Sequence, residues 1–423
     1  MSGELATRAA IDAVWRIESA RLIAGLARLV RDLDLAEELA QDALVLALEQ
    51  WPRSGVPDNP GAWRMATAKH RAIDQLRRRT ALERKHEQIA RELEIDERRA
   101  ASAPPPGVSH EEIEDDLLRL VFTTCHPVLS REARVALTLR LLGGLRTDEI
   151  ARAVLSSEAT VAQRIVRAKR TLSEAGVPFE VPVGAELRDR LGSVLEVVYL
   201  IFNEGYAATA GEHWMRPALC EDALRLGRML AQLLPREPEV HGLVALMEIQ
   251  ASRTGARTDR SGAPVLLEDQ DRSRWDRILI RRGLEALVRA RALGAPLGPY
   301  ALQAAIAACH AQAPSVGETD WVKVAALYDA LSQLTGSPVV ELNRAVAVGF
   351  AFGPAVGLEL VDALVADERL AGYHLLPAVR GDLLARVGRE REAVAELTQA
   401  ASLARNERER ALLLRRAAEL SDR

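Results

Sequence analysis

Arginines and a tryptophan share one face of a predicted helix in NPGAWRMATAKHRAIDQLRRRT, residues 59–80. Between positions 63 and 85, eight basic residues stand against two acidic ones, a local charge of +6. A surface of this sign attracts phosphate, and an aromatic ring among arginines can stack on an unpaired base. The face is predicted to carry Trp63, Arg64, Thr67, His70, Arg71, Asp74, Gln75, Arg77 and Arg78. It is therefore either a nucleic-acid surface or a solvated basic helix with a half-buried tryptophan.

A second set of basic and polar side chains lies in a predicted helix-turn-helix, residues 138–172. Thr147 is predicted to cap a short helix that ends at Leu155, and Ser156 and Ser157 form the turn. The apolar face of the second helix is predicted to be Val161, Ile165, Ala168 and Leu172. Its exposed face holds Thr160, Gln163, Arg164, Arg167 and Arg170. Such side chains reach base edges in the major groove, although an ordinary helical hairpin gives a similar pattern.

An acidic surface precedes the first basic one. Residues 34–51 predict an amphipathic helix whose inner stripe is Leu35, Leu39, Ala43, Leu46 and Ala47. Its outer face consists of Asp34, Glu37, Glu38, Gln41 and Asp42. Such a face is usually only solvated. Here it is followed by the loop 52–61 and then by the basic aromatic helix, and this order carries information beyond the single faces.

Carboxylates, a histidine and a thiol gather further along the chain, in FNEGYAAT, EHWMRPALCED and LEDQD. The groups that could bind a metal or a small effector are Asn203, Glu204, Tyr206, Glu212, His213, Cys220, Glu268, Asp269 and Asp271. Helix caps and loop carboxylates beside arginines explain them better. The sequence contains no GxxxxGK[ST], GxGxxG, HExxH or GxSxG motif. We therefore predict no catalytic residue, no metal and no cofactor.

The elements that position these groups are predicted to be helices, so the expected fold class is all-α. Three consecutive prolines in ASAPPPGVSHEE, residues 101–112, break the helical pattern and indicate a linker. A second break falls at 176–184, and residues 253–271 are predicted to form an extended polar loop. The predicted division is a first domain at 1–85, a linker at 86–115, a second domain at 116–176 and a long helical remainder at 184–423.

Composition limits the functions that the chain can serve. Its 423 residues carry a net charge of −4, which excludes a protein that coats nucleic acid through its overall charge. The first residues carry charges throughout, which argues against a signal peptide. The sequence lacks a run of about 18 uncharged apolar residues, which argues against a membrane-spanning helix. We therefore expect a cytoplasmic protein. Cys125, Cys220 and Cys309 lie far apart and are predicted to be core thiols.

The C-terminal part carries the spacing of helical repeats. In RGDLLARVGREREAVAELTQAASLA, the packing positions of a tetratricopeptide repeat, with its period of about 34 residues, match Gly381, Leu384, Gly388, Ala393, Leu397 and Ala400. The segments LYDAL and LVDAL, which belong to weaker copies, are 33 residues apart. Stacked helix pairs of this kind predict an α-solenoid with a concave surface for a protein or peptide partner.

The order of these elements resembles that of bacterial sigma factors of the extracytoplasmic-function (ECF) class of the sigma-70 family. Residues 34–80 resemble region 2, a helical bundle whose acidic helix docks on the β′ clamp helices of RNA polymerase core. The next helix of that region opens and reads the −10 promoter element. Residues 138–172 resemble region 4, which reads the −35 element and meets the β flap. In this class the linker threads into the polymerase channel. The whole chain resembles a subgroup with a C-terminal repeat extension in place of a separate anti-sigma factor.

The resemblance implies roles for individual residues. The polymerase-docking positions would be Asp34, Glu37, Glu38, Gln41 and Asp42. The DNA-contacting positions would be Asn59, Trp63, Lys69, His70, Arg71, Asp74, Arg77 and Arg78 in region 2, and Thr160, Gln163, Arg164, Arg167 and Arg170 in region 4. Arg64 stands where this class more often has leucine. We expect an alternative sigma factor that is regulated by, or depends on, its extension. A repeat scaffold and a helix-turn-helix regulator that acts without polymerase are the alternatives.

Overall fold

The computed structural model of the chain describes residues 15, 18–57, 59–74, 110–154, 156–207, 215–260 and 262–421. The chain divides into two compact units, Met1–Val197 (unit 1) and Val198–Arg423 (unit 2). Within the described ranges the regular elements are helices, apart from one isolated antiparallel bridge between Thr258 and Pro264. The predicted all-α fold class is therefore confirmed.

Unit 1 contains two groups of helices. The first group is α1 (residues 18–30), α2 (Leu33–Ser54) and α3 (residues 60–74). The second group is α4 (His110–Thr124), α5 (Arg131–Leu141), α6 (Thr147–Ala153), α7 (Glu158–Glu174) and the first half of α8 (Gly184–Tyr206). α2 begins where the Asp32 carboxylate accepts the N–H groups of Asp34 and Leu35. It ends at Gly55, whose φ of +82° favours glycine.

α2 and α3 both bury alanine side chains. The fully buried alanines are Ala36, Ala40, Ala43 and Ala47 on α2 and Ala68 and Ala72 on α3. Alanine adds little width, so helices that meet through alanines can approach closely. Trp51 of α2 meets Trp63 of α3 edge to face, with 5.5 Å between the ring centroids. This contact fixes the basic helix against the acidic one.

Unit 2 is a run of helices in which most packing is between neighbours in the sequence. The helices are α9 (Pro217–Leu233), α10 (Pro238–Ala251), α11 (Arg277–Ala292), α12 (Pro299–Gln312), α13 (Trp321–Thr335), α14 (Pro338–Phe352), α15 (Pro354–Leu364), α16 (Leu375–Arg386), α17 (Glu390–Leu403) and α18 (Glu407–Ser421). Proline begins five of them, at a position where its missing N–H costs no hydrogen bond. Packing between sequence neighbours is what a solenoid requires.

The pair α16 and α17 contains the positions that predicted a repeat. Leu384, Ala393 and Leu397 are fully buried. Gly381 lies against α17, because a Cβ at this position would come within 3.0 Å of Leu397 Cγ. Gly388 takes a φ of +80° between the two helices. The predicted packing is present, whereas a tetratricopeptide identity of the pair stays a prediction.

The segment predicted as an extended polar loop contains short 3-10 helices, Thr254–Ala256 and Leu267–Asp269. Two of its polar residues, Arg257 and Gln270, are only 8% and 7% exposed. The prediction of a loop is confirmed for most of residues 253–271, but the loop is not exposed throughout. Polar residues usually indicate exposure, but these two donate to the main-chain carbonyls of Tyr206 and Val265 and are buried with those bonds made.

The cysteines are confirmed as core thiols. Cys125, Cys220 and Cys309 are free and buried. Burial raises the pKa of the Cys125 and Cys309 thiols, and it raises the pKa of Cys220 to about 12. In the part of the chain that the structure describes, no helix has both the length and the apolar character to cross a membrane.

Candidate nucleic-acid interface

α6 and α7 form the predicted helix-turn-helix, with one difference at its start. Arg146, and not Thr147, occupies the N-cap of α6, and its backbone N–H donates to the Glu149 carboxylate at 2.8 Å. The prediction of Thr147 as the cap is wrong because this bond uses a backbone N–H, which almost any residue supplies. α6 also ends earlier than predicted, at Ala153 and not at Leu155.

α7 is anchored on one side and open on the other. The Ser157 hydroxyl caps its first turn by accepting the Thr160 N–H at 3.1 Å. Its buried face includes Val161, Ile165, Ala168 and Leu172, as predicted. The opposite side exposes Thr160, Gln163, Arg167 and Arg170, and it leaves Arg164 partly exposed. A helix held in this way can enter a major groove with its polar side chains accessible.

Two residues of this face also have local partners. The Thr160 and Ser157 hydroxyls lie 2.7 Å apart, and Arg170 Nε donates to Glu174 Oε1 at 2.6 Å. The Arg170 and Glu174 side chains are 75% and 61% exposed. Ion pairs this exposed contribute little free energy, so Arg170 can exchange Glu174 for a phosphate at small cost.

α3 is rotated relative to the predicted basic face. Arg64 was expected on the outer side, yet it is only 1% exposed and its guanidinium carbon lies 6.0 Å from the centroid of the Trp15 ring. Burial lowers the pKa of Arg64, and the charge of Glu18 opposes this. Arg64, Ala68 and Ala72 are spaced four residues apart and therefore lie on the same side of α3. Ala68 and Ala72 are fully buried, so Arg64 is buried with them. The expectation of an exposed Arg64 is therefore wrong.

The other predicted DNA-contacting residues of α3 have mixed environments. Asn59 is exposed, and its side-chain oxygen accepts the Ala62 N–H at 3.0 Å, so it also caps the helix. His70 and Asp74 are exposed, whereas Trp63, Lys69 and Arg71 are half-buried. Arg71 pairs with Asp42 of α2, so a predicted DNA-side residue and a predicted polymerase-side residue contact each other. Arg77 and Arg78 lie outside the described residues.

The acidic face of α2 is partly covered by the helix-turn-helix group. Glu37 was expected to be exposed, but it is 6% exposed. Its carboxylate accepts from Lys169 Nζ of α7 and from Arg140 Nε of α5, both at 2.5 Å. Lys169 also reaches Asp34 Oδ1 at 2.7 Å, and Gln41 Nε2 donates to Glu37 Oε1 at 2.8 Å. We call Asp34, Glu37, Arg140 and Lys169 the charge cluster.

The charge cluster joins the two helix groups of unit 1. Burial acts to raise the pKa of Glu37, but the charges and hydrogen bonds of Lys169 and Arg140 outweigh it, and the net effect is a lowered pKa. Glu37 is therefore ionised at neutral pH. A second contact joins the same groups, from Arg28 Nε of α1 to Asp116 Oδ2 of α4 at 2.9 Å. On α2, Glu38 is exposed, whereas Gln41 and Asp42 are half-buried.

Sequence reasoning missed Lys169 and Arg140. Lys169 did carry a signal, since it lies four residues after Ile165 on the buried side of α7 and is 9% exposed. A lysine in an apolar stripe indicates a buried anionic partner. The partner itself, Glu37, is 132 positions away, and nothing in the spacing of either helix identifies it.

The first half of α8 is bonded to the helix-turn-helix group. Arg190 Nη2 donates to the Phe122 carbonyl at 2.8 Å, and Ser193 Oγ donates to the Cys125 carbonyl at 2.7 Å. Arg134 of α5 pairs with Glu196 at 3.3 Å. The main-chain groups at the end of α4 therefore have partners on α8.

Both parts of this interface, α1 to α3 and the helix-turn-helix, lie in segments that match known protein families. Residues 17–81 match Sigma-70 region 2, and residues 119–172 match Sigma-70 region 4. The chain belongs to the sigma-70 family. Sigma-70 family proteins are transcription initiation factors and not enzymes, and the two regions imply interaction with RNA polymerase core and with promoter DNA. The region 2 match covers α1 to α3, and the region 4 match contains α6 and all but the last two residues of α7.

The remainder of this sigma-70 family chain also has relatives. Residues 190–291 match a family of unknown function, DUF6596, which begins within α8. An uncharacterized protein of Rhizobium meliloti is 44% identical over 391 residues, which cover 92% of this chain and 90% of that protein. The similarity therefore covers most of the chain, including the greater part of its C-terminal part.

Proposed function

We propose that the chain is an alternative sigma factor of the ECF class that acts in the cytoplasm and directs RNA polymerase core to a specific set of promoters. The observation that carries the proposal is the geometry of α7. Its buried face is anchored in the region 4 core, and its open side presents Gln163, Arg167 and Arg170 from a capped helix. These side chains are the donors and acceptors that read base edges in a major groove. In this proposal they read the −35 element.

α3 and α2 provide the second half of the proposed activity. The exposed and half-buried polar side chains of α3 contact the −10 element as it opens, and Trp63 can stack on a base only after it turns away from Trp51. The acidic face of α2 docks on the β′ clamp helices. Glu38 is exposed for this contact, whereas Asp34 and Glu37 are engaged by Lys169 and must be released first.

The C-terminal extension supports or regulates these two regions. Its first helix supplies Arg190, Ser193 and Glu196 to the region 4 core. A ligand or protein partner of the extension can shift regions 2 and 4 only if it binds two of their arrangements with different affinity. The partner surface in this proposal is the concave side of a solenoid of tetratricopeptide-like pairs.

Run-off transcription tests the proposed function directly. We expect the purified chain to direct specific initiation from the promoter upstream of its own operon only when core polymerase is present. The reason is that its contacts with DNA are divided between two small surfaces that polymerase must hold at the correct spacing. Duplex promoter binding at nanomolar affinity without polymerase would instead favour a helix-turn-helix regulator, and no initiation with core would favour a repeat scaffold.

Arg167 is expected to read bases. Arg167→Ala should weaken use of the cognate −35 element by about 1–3 kcal/mol and relax sequence preference within it. A library with a randomised −35 element, transcribed by polymerase with each variant, measures both effects. Arg164→Ala should act in the same direction with a smaller effect, because Arg164 is partly buried.

Arg188→Ala is the matched control for these variants, since it removes an exposed arginine of unit 1 outside α7. If Arg167→Ala leaves the preferred −35 sequence unchanged, Arg167 does not contact bases. A loss of equal size on all sequences assigns Arg167 to phosphate instead.

A further inference from the structure

Three arginines gather around two buried aromatic rings in unit 2. The guanidinium carbons of Arg253 and Arg272 lie 5.3 Å and 5.1 Å from the centroid of the Trp275 ring. The guanidinium carbon of Arg257 lies 3.6 Å from the centroid of the Tyr206 ring. Trp275 and Tyr206 are 3% and 8% exposed. We call Arg253, Arg257 and Arg272 the arginine cluster.

The charges of the arginine cluster act on one another. Burial lowers the pKa of Arg253, Tyr206 opposes this effect, and the charges of Arg257 and Arg272 lower the pKa further. Arginines close enough to repel each other in a partly buried place need a compensating negative charge.

The hydrogen-bond partners of Arg253 and Arg272 among the described residues are neutral groups. Arg253 Nε donates to the side-chain oxygen of Gln270 at 3.1 Å. Arg272 Nη1 donates to the carbonyls of His310 and Ala313, at 2.5 Å and 2.6 Å. Carbonyl and amide oxygens orient a guanidinium but carry only partial charge. They therefore compensate little of the positive charge of Arg253. Arg272 differs in this respect, because the charge of Glu318 opposes the lowering of its pKa by burial.

Three carboxylates near the arginine cluster have partners outside it. Glu268 accepts from Arg386 Nη2 of α16 at 3.0 Å. Asp271 accepts the Ser273 N–H at 2.9 Å, and Asp276 caps α11. These roles confirm the interpretation of Glu268 as an arginine partner and of Asp271 as a cap.

Three rings beside the arginine cluster carry buried polar atoms that have no hydrogen-bond partner. In the described part of the chain these atoms are Trp275 Nε1, Tyr206 Oη and His310 Nδ1. Burial, followed by the charges of Arg253 and Arg272, lowers the pKa of His310 to about 4, so its ring is neutral at pH 7. Each of these atoms can donate a hydrogen bond to an anion. Buried donors left unpaired cost free energy, which a bound acceptor would recover.

We propose that the arginine cluster, together with Trp275, Tyr206 and His310, is a binding site for a small phosphoryl-bearing anion. A phosphoryl group presents several acceptor oxygens and close to two negative charges at neutral pH, which suits paired guanidinium forks. Arg253 and Arg272 are partly exposed, so an anion can reach them from solvent. The site joins two motifs of the C-terminal part, FNEGY and RSRWD, around one ligand. It gives the extension an effector site, and it does not depend on the proposed sigma activity.

Isothermal titration calorimetry of the full-length chain tests this site. The buffer contains neither phosphate nor sulfate and is held at constant ionic strength, and the probes are inorganic phosphate and glycerol 3-phosphate. We expect saturable binding of one equivalent with a Kd below roughly 1 mM for at least one probe. Tighter binding of inorganic phosphate identifies the free ion as the source, and tighter binding of the ester identifies a phosphorylated small molecule.

Variants separate this site from other anion contacts. Arg253→Gln should weaken binding by at least about tenfold, and Arg253→Lys, which keeps the charge but not the fork, should weaken it less. Arg282→Gln removes an exposed arginine of α11 and should bind as the parent does. If Arg253→Gln does not fold by circular dichroism, Arg253→Lys decides the question.

Two results would overturn the proposal. One is the absence of saturable binding by either probe. The other is binding that Arg253→Gln and Arg253→Lys leave unchanged, or that occurs only at tens of millimolar with chloride equally effective, which means an adventitious ion only. Neither result bears on the run-off experiment, so failure of the anion site leaves the proposed sigma function standing.

Discussion

A chain that ends after residue 183 is expected to lose much of the stability of unit 1, whereas a chain that ends after residue 197 is expected to keep it. The shorter chain lacks Arg190 and Ser193, whose side chains satisfy the Phe122 and Cys125 carbonyls. It also removes the Arg190 guanidinium, whose carbon lies 5.7 Å from the centroid of the buried Phe122 ring. Lost hydrogen bonds and lost burial together amount to about 3–6 kcal/mol. Since domains are stable by roughly 5–15 kcal/mol, this loss is large.

Urea unfolding of the two truncated chains, followed by circular dichroism, measures the difference. A third chain, which ends after residue 371, retains α8. It is the control that separates the loss of α8 from the effect of truncation in general. Equal stability of the chains that end after 183 and after 197 would show that α8 is not needed for the region 4 core.

The chain that ends after residue 197 is then the correct one for testing regulation by the extension. A changed transcription rate, in either direction, supports a regulatory role because unit 1 is intact. Transcription at the full-length rate under all conditions would show that unit 2 does not regulate the activity of unit 1.

Lys169→Met is expected to increase the affinity of the chain for RNA polymerase core. Lys169 holds Asp34 and Glu37, two of the positions that we propose to dock on polymerase. Its removal leaves Glu37 buried beside Arg140 alone and favours separation of α2 from α7, since an under-compensated buried charge is costly. A bias of about 1–3 kcal/mol corresponds to a gain of roughly 5- to 150-fold. Fluorescence anisotropy of a labelled chain titrated with core polymerase measures this gain.

Two further variants test whether the gain comes from the charge cluster. Arg170→Met removes the same charge from the exposed side of α7 and should leave core affinity unchanged in the absence of DNA. Glu37→Gln also weakens the charge cluster, but it removes a docking carboxylate, so its gain should be smaller. Unchanged or weaker binding by Lys169→Met would show that the charge cluster does not compete with polymerase.

Local signals in the sequence were enough to place the main helices. The acidic helix was predicted at 34–51 and is Leu33–Ser54, and the apolar residues of the buried face of α7 were each predicted, although Lys169 on the same face was not. These features depend on side-chain spacing along a single helix, which the sequence contains. The restart of α7 at Ser157 was also predictable, because a serine hydroxyl is a strong N-cap.

Side chains whose environment depends on another helix were not predictable in the same way. Glu37 and Arg64 are charged residues beside the apolar stripes of α2 and α3, and such residues normally face water. Glu37 is buried because Arg140 and Lys169 reach it from distant parts of the chain. Arg64 is buried against Trp15, and its helix phase, four residues before Ala68, was the available signal.

The buried thiols make this protein convenient for site-specific labelling. Thiol reagents attack the thiolate, and Cys125, Cys220 and Cys309 are buried with raised pKa values, so little thiolate forms at neutral pH. A cysteine introduced on an exposed position of α2 and another on α7 should therefore react with maleimide dyes well before the native thiols do. Energy transfer between the two dyes would report the distance across the charge cluster in the otherwise unaltered sequence, before and after polymerase is added.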